Sequence, residues 1–478
     1  MFLRRARVAP AALAVAVALS ANVAAGADPP EHVSTIADQR SVNVTIYNGG
    51  QALVHDRRRI SLAKGANRLA WRDVSGSLDA TSAIVRDTSD PGGLTVDEQN
   101  FDFSVLSPQS LLARSVGHEV TIVHDVPVPG RPAREPATVL ANNDGIVLQY
   151  ADRIETNLAG SHVSFDGIPS DLRDRPTLVL DLESARAGEA DLDLAYLSGG
   201  LGWSANYVGV VSPDRAHLDL SGLVTLTNTS GTAYRNARLQ LVAGNVNVGA
   251  QLPSGALMRE IPEPAAAPMR QENYFEYHLY TLARPTTIAN GQTKQVALLA
   301  ARHVPIRETL ELRGSPSYYG SENADLGEKL PVGAYVSFKN TGGDLGVPLP
   351  GGIVRLYEND ARGTSQFLGS DTIDHTPRNQ DVRLHVGDSF DVTANKKQTA
   401  FKALGSCRFE SAYEIRLANA KDTPQRVDVV EPIPGDWTML TESAPHRKTS
   451  SSTATWSLAV GPNRTVTLDY RVRTNECG

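Results

Sequence analysis

Residues 368–392, "LGSDTIDHTPRNQDVRLHVGDSFDV", place Asp371, Asp374, His375 and Arg378 within eight positions. Carboxylates beside an imidazole are the side chains that metal binding or a proton relay uses. The same stretch has the composition of a turn. Pro377, Asn379 and Asp381 suit a loop between strands, and Val382, Leu384 and Val386 at once resume a strict apolar alternation. The expected structure is therefore a loop in which Asp374, His375 and Thr376 bond to nearby backbone; a ligand or proton-relay site is the alternative.

Two neighbouring stretches raise the same choice. "YENDARGTSQFLG" offers Asn359, Asp360 and Gly363 for a hairpin turn, with an acidic calcium loop as the alternative. "NYFEYHLY" alternates Phe275, Tyr277 and Leu279 against Tyr274, Glu276, His278 and Tyr280. One face is core; Tyr274 and Tyr280 on the other are candidates for stacking on sugar or peptide, against the simpler expectation of a solvated face.

Other catalytic patterns fail on context. "SLAK" at Ser61–Lys64 matches the S-x-x-K of penicillin-interacting enzymes, but that chemistry needs the serine to open a helix, and here it lies in a strand running into a glycine turn. "GWSAN" around Ser204 lacks the second glycine of a nucleophile elbow, so Trp203 and Tyr207 are expected in the core. No HExxH, phosphate loop or EF-hand loop occurs, and no cofactor or metal is expected.

The elements that must carry these residues are strands. Val42, Val44 and Ile46, then Leu192, Leu194 and Tyr196, then Tyr413, Ile415 and Leu417, then Val466, Leu468, Tyr470 and Val472 each alternate with polar residues, so each strand buries one face. Thirty-nine Gly and 28 Pro punctuate the runs as turns. A short helical turn near Pro108 to Ser115 is the one exception.

The chain start indicates export. Arg4, Arg5 and Arg7 precede a small and apolar run from Val8 to Leu19, and Ala25-Gly26-Ala27 offers a cleavage site before Asp28. This is the pattern of a secretory signal peptide over 1–27. The net charge of −7 falls to −10 once the three arginines are removed, which disfavours nucleic acid as a partner, since that affinity comes from cations displacing counterions. No later segment has the apolar run of a membrane helix. Cys407 and Cys477 are the only two cysteines, and in an oxidising compartment such a pair is expected to bridge; two free thiols are the alternative.

Punctuation suggests an all-β chain of antiparallel sandwich or small-barrel domains in tandem: an N-terminal β unit over 28–100, a small barrel or meander over 101–170, a large sandwich over 171–403 with a long loop at 249–273, and an immunoglobulin-like sandwich over 404–478.

Several stretches carry a family resemblance. "YLSGGLGWSANYVGVV", "LSGLVTLTNTSGTAYRNARLQLVAGNVN", "FEYHLYTLARPTTIANGQTKQVALL", "GGIVRLYENDARGTSQFLGSDTIDHTPRNQDVRLHVGDSFDV" and "EPIPGDWTML" closely resemble a bacterial domain-of-unknown-function family that includes mucoidy-inhibitor-like proteins. The resemblance covers roughly residues 170–473, and "VTIYNGGQALVHDRRRISLAKGANRLAW" looks like the family's N-terminal β unit. It implies an exported protein without an agreed activity. Mucoidy-inhibitor-like members often carry a coiled coil between the two parts, whereas residues 100–170 here show β alternation and no heptads. The function expected is a non-enzymatic envelope protein that presents loops to a protein or polysaccharide partner; the alternative is an envelope hydrolase or carbohydrate-active enzyme with a dispersed carboxylate pair.

Overall fold

The computed structural model describes residues 29–477 apart from 103–104, 126–131, 144, 159, 170–171, 245–268, 275–276 and 324–325. The expected signal peptide and most of the expected loop at 249–273 lie outside the described residues. Strands dominate, and Pro108–Arg114 is the one α-helix among the described residues. Its start is built locally: Ser107 accepts the Ser110 N–H, Ser110 returns the bond, and Pro108 sits where no N–H is needed. No helix among the described residues is long and apolar enough to cross a membrane.

Among the described residues four sheets form, and none closes into a barrel. For residues 101–170 the barrel alternative is therefore corrected to an open sheet. It has five antiparallel strands whose edges are Ile154–Glu155 and Ser161–Ser164, over a small core of Val120, Ile122, Val139 and Leu148. Two- and four-residue edge strands offer too little backbone to pair with each other.

The N-terminal strands do not pack alone. Gln39–Tyr47 pairs in parallel with Tyr234–Ala243, and Ala52–Leu62 pairs with Gly188–Ser198 along its whole length. Hydrogen bonding thus runs across the boundary expected near residue 100. One core joins Val42, Val44 and Ile46 to Leu218, Leu220, Val224 and Leu226 in the facing sheet. A short strand cannot bury its apolar face without such a partner layer.

Two long strands, Gln292–Arg313 and Asp381–Ala403, link this sandwich to the next. Val304 and Leu384 belong to the first core, while Leu312, Val392 and Ala394 belong to a second. The C-terminal core therefore draws on residues well before 404. In one layer Asp381–Ala403, Arg408–Asn419 and Arg464–Asn475 lie side by side; in the other, the end of Gln292–Arg313 pairs with Gln425–Pro432, which pairs with Thr453–Val460. Cys407 and Cys477 form the expected disulfide, with Cα atoms 5.2 Å apart. They flank adjacent strands in register at Arg408 and Asn475, so the bridge staples the ends of two neighbouring strands within one layer and does not join the two layers.

Candidate functional site

The structure spreads the residues around His375 apart. Asp371 lies on strand Ser365–Ile373, where Oδ2 accepts the His385 N–H at 2.7 Å. His375 Nδ1 accepts the Gly351 N–H at 3.0 Å, and Nε2 lies 3.2 Å from the Asn48 side-chain amide. Thr376 exchanges two backbone bonds with Leu349, and its hydroxyl donates to the Asp374 carbonyl. Buried Asn340 donates to the Val347 and Pro377 carbonyls and accepts the Gly346 N–H. Asp374 and Arg378 are exposed. These side chains hold two loops together, and no common point collects the carboxylates and the imidazole.

Tyr280 differs from the face assigned to it. It is buried, its hydroxyl donates to the Pro348 carbonyl at 2.9 Å, and burial pushes its proton affinity up. Tyr207 anchors the same loop through Pro350 at 2.8 Å. Strand Tyr277–Thr281 pairs on both sides, with Tyr234–Ala243 and Arg270–Tyr274, and this pairing turns Tyr280 onto the core. The side chain of Tyr274 lies outside the described residues. In "YENDARGTSQFLG", Asp360 Oδ1 accepts the Arg362 and Thr364 N–H groups, the pattern of a hairpin turn, and those bonds hold its carboxyl below its ordinary range. No group of three His, Cys, Asp or Glu among the described residues is placed to hold a metal.

A concave surface lies elsewhere, between the two sandwiches. A groove of about 390 Å³ has an apolar floor from Val211, Leu310, Val336, Val386 and Leu368, and a charged rim that includes Arg215, Glu308 and Glu358. Arg215 sits in the turn after strand Leu201–Val211 with φ of 55°, and forks onto both oxygens of Glu358 at 3.0 and 3.1 Å. Its Nε is also 3.8 Å from Glu308. These carboxylates raise the proton affinity of Arg215, so it is a permanent cation.

Phe390 overhangs this groove and is 94% exposed. Its exposure has a backbone cause. Along Asp381–Ala403 the register with Leu330–Lys339 jumps, so that Pro331 faces Thr393 while Gly333 faces Asp388. Residues 389–392 thus form an excursion, in which the Ser389 hydroxyl accepts the Val392 N–H. Phe367, 58% exposed, lies in the neighbouring edge strand and meets Tyr357 edge to face at 5.5 Å.

Parity hides this surface in the sequence, because Phe390 shares the even register of buried Val382, Leu384 and Val392. The small signal that remains is "GDS" before it, a run of turn formers inside a strand. Arg215 and Glu358 lie 143 positions apart, and no spacing connects them.

No curated protein matches the chain. The family model described as a domain of unknown function, DUF4139, matches residues 192–476, which takes in the groove, both long strands and the C-terminal sandwich. With more than half of its length matched, the chain belongs to the DUF4139 family.

Proposed function

We propose that this protein is an exported, mucoidy-inhibitor-like member of the family that works in the bacterial cell envelope as a binding module, holding a protein or polysaccharide partner in the groove between its two sandwiches. The observation that carries the reading is Phe390: a large aromatic held almost wholly in solvent, beside an apolar floor and a fixed guanidinium. Burying such a ring on a partner yields about 2 kcal/mol or more, and aromatics and arginines dominate the energetics of interfaces. Export is supported by the leader pattern and by the disulfide, which persists in oxidising compartments.

A hydrolase reading has one observation in its favour, the carboxylates Glu308 and Glu358 in the same groove. Arg215 lies against both, and a shared cation is not the apolar neighbour that a general acid needs.

The test compares wild-type mature protein with Phe390→Ser and Arg215→Ala as baits for envelope proteins and polysaccharides. Both substitutions should reduce capture of the same partner at least tenfold while leaving the melting temperature nearly unchanged. Equal capture by all three would sink the groove. Terminal sequencing of secreted material should begin at Asp28; an uncleaved chain in the membrane pellet would sink export.

A further inference from the structure

The C-terminal core encloses a charge pair joining its two layers. Strand Asp381–Ala403 turns Val392, Ala394 and Lys396 inward from one layer, and Gln425–Pro432 turns Val427, Val429 and Glu431 inward from the other. Lys396 is 2% exposed and Glu431 0%. Lys396 Nζ lies 2.7 Å from Glu431 Oε2, and the Tyr319 hydroxyl donates to that same oxygen at 2.9 Å while lying 3.0 Å from the Tyr470 hydroxyl. Oε1 has no hydrogen-bond partner among the described residues.

Water has little access. The rings of Tyr413 and Tyr318 stand 4.6 and 4.7 Å from Nζ, those of Tyr319 and Tyr470 5.8 and 5.9 Å, and Trp456 stacks on Tyr470. Gly314 closes the carboxyl side so tightly that a Cβ there would stand 2.6 Å from Cδ.

As an ion pair this arrangement is costly, because two desolvated charges need every lone pair satisfied and one carboxylate oxygen is bare. The ring faces favour the ammonium. Burial opposes it and is the largest influence on Lys396, lowering its proton affinity although the charge and hydrogen bond of Glu431 act in the other sense. An amine held against a carboxyl group in a water-poor site has the proximity that an intramolecular condensation requires.

We propose that Lys396 and Glu431 join in an intramolecular amide bond that ties the two layers of the C-terminal sandwich. The ammonium passes one proton to Oε2, and the freed lone pair on Nζ forms a bond to Cδ. A second nitrogen proton moves to Oε2, the Cδ–Oε2 bond breaks, and water leaves. Oε1 remains as the amide carbonyl. One cation and one anion become a neutral amide and one water, with no further reactant. Tyr319, whose hydroxyl already donates to Oε2, stabilises the departing oxygen. The bond would cross between layers, where the disulfide does not.

The intact mass of denatured, disulfide-bonded wild-type protein decides it. The mass should be lower by one water than the sequence with its disulfide requires. After reduction and trypsin digestion, the chain should remain uncut after Lys396 and be joined to the peptide containing Glu431. Lys396→Met and Glu431→Leu should each restore the full mass. A wild-type mass without the deficit overturns the proposal whether or not the variants fold, and so does a deficit that maps to other residues.

Discussion

Asp371 stands in for a missing backbone acceptor: its Oδ2 takes the His385 N–H at 2.7 Å, across a gap where strands Ser365–Ile373 and Asp381–Ala403 form no ladder. Gly369 meets the same long strand so closely that a Cβ would lie 2.1 Å from the Val386 carbonyl oxygen. One carboxylate and one glycine therefore bring the sheet edge against the strand that carries Phe390. Asp371→Ala should cost about 1 kcal/mol, the net value of one hydrogen bond, read as a lower urea midpoint with unchanged slope. Gly369→Val should cost more, because the clash is with backbone. An Asp371→Ala protein as stable as wild type would refute the bridging role.

Arg58 is a second buried charge, with all its partners in place. It bonds Asp56 Oδ2 through Nε and Nη2 at 3.0 and 2.7 Å, and donates to the Ser34 and Arg72 carbonyls. Trp71 Nε1 and Gln39 Nε2 donate to the same aspartate. Arg58→Met strands Asp56 in the core and should cost about 3–5 kcal/mol, whereas adding Asp56→Leu should recover part of that loss. Denaturant titration of the single and double variants checks the sign of the coupling.

The Cys407–Cys477 bridge closes a separation of 70 residues. Chain entropy puts its contribution at about 4 kcal/mol. Thiol titration in denaturant should find no free sulfhydryl until reductant is added, and Cys477→Ser should lower the melting temperature by several degrees. Two titratable thiols in unreduced protein would contradict the bridge.

His278 supplies a pH dependence. Burial, and then the charge of His375, hold its proton affinity below the ordinary value of 6.5. The unfolded chain therefore takes up this proton more readily than the folded one. The stability His278 contributes is complete above pH 6.5 and is lost as pH falls through its lower folded value. Urea midpoints between pH 8 and 5 should decline on the acid side, and His278→Gln should flatten that decline.

Strand alternation alone determined the all-β class, because a two-residue period admits no other regular structure and its apolar members had to face a core. Val42, Tyr196, Ile415 and Leu468 are buried where their parity put them. Turn chemistry likewise made "YENDARG" a hairpin and "DHTPRNQ" a loop, since Asp, Asn, Pro and Gly act on their immediate neighbours. The cysteine pair was legible because only two were present. What tertiary structure decided lies at greater separation. Sheet pairing joined Gln39–Tyr47 to Tyr234–Ala243, which no local signal specifies, and so erased the boundary near residue 100. A register jump opposite Pro331 and Gly333 turned Phe390 out of the core that its parity predicts. Lys396 and Glu431 each stand at the inward position after two buried apolar residues, a visible irregularity in both strands. Parity shows that each side chain points inward; only the packing of one layer on the other brings Nζ to 2.7 Å from Oε2.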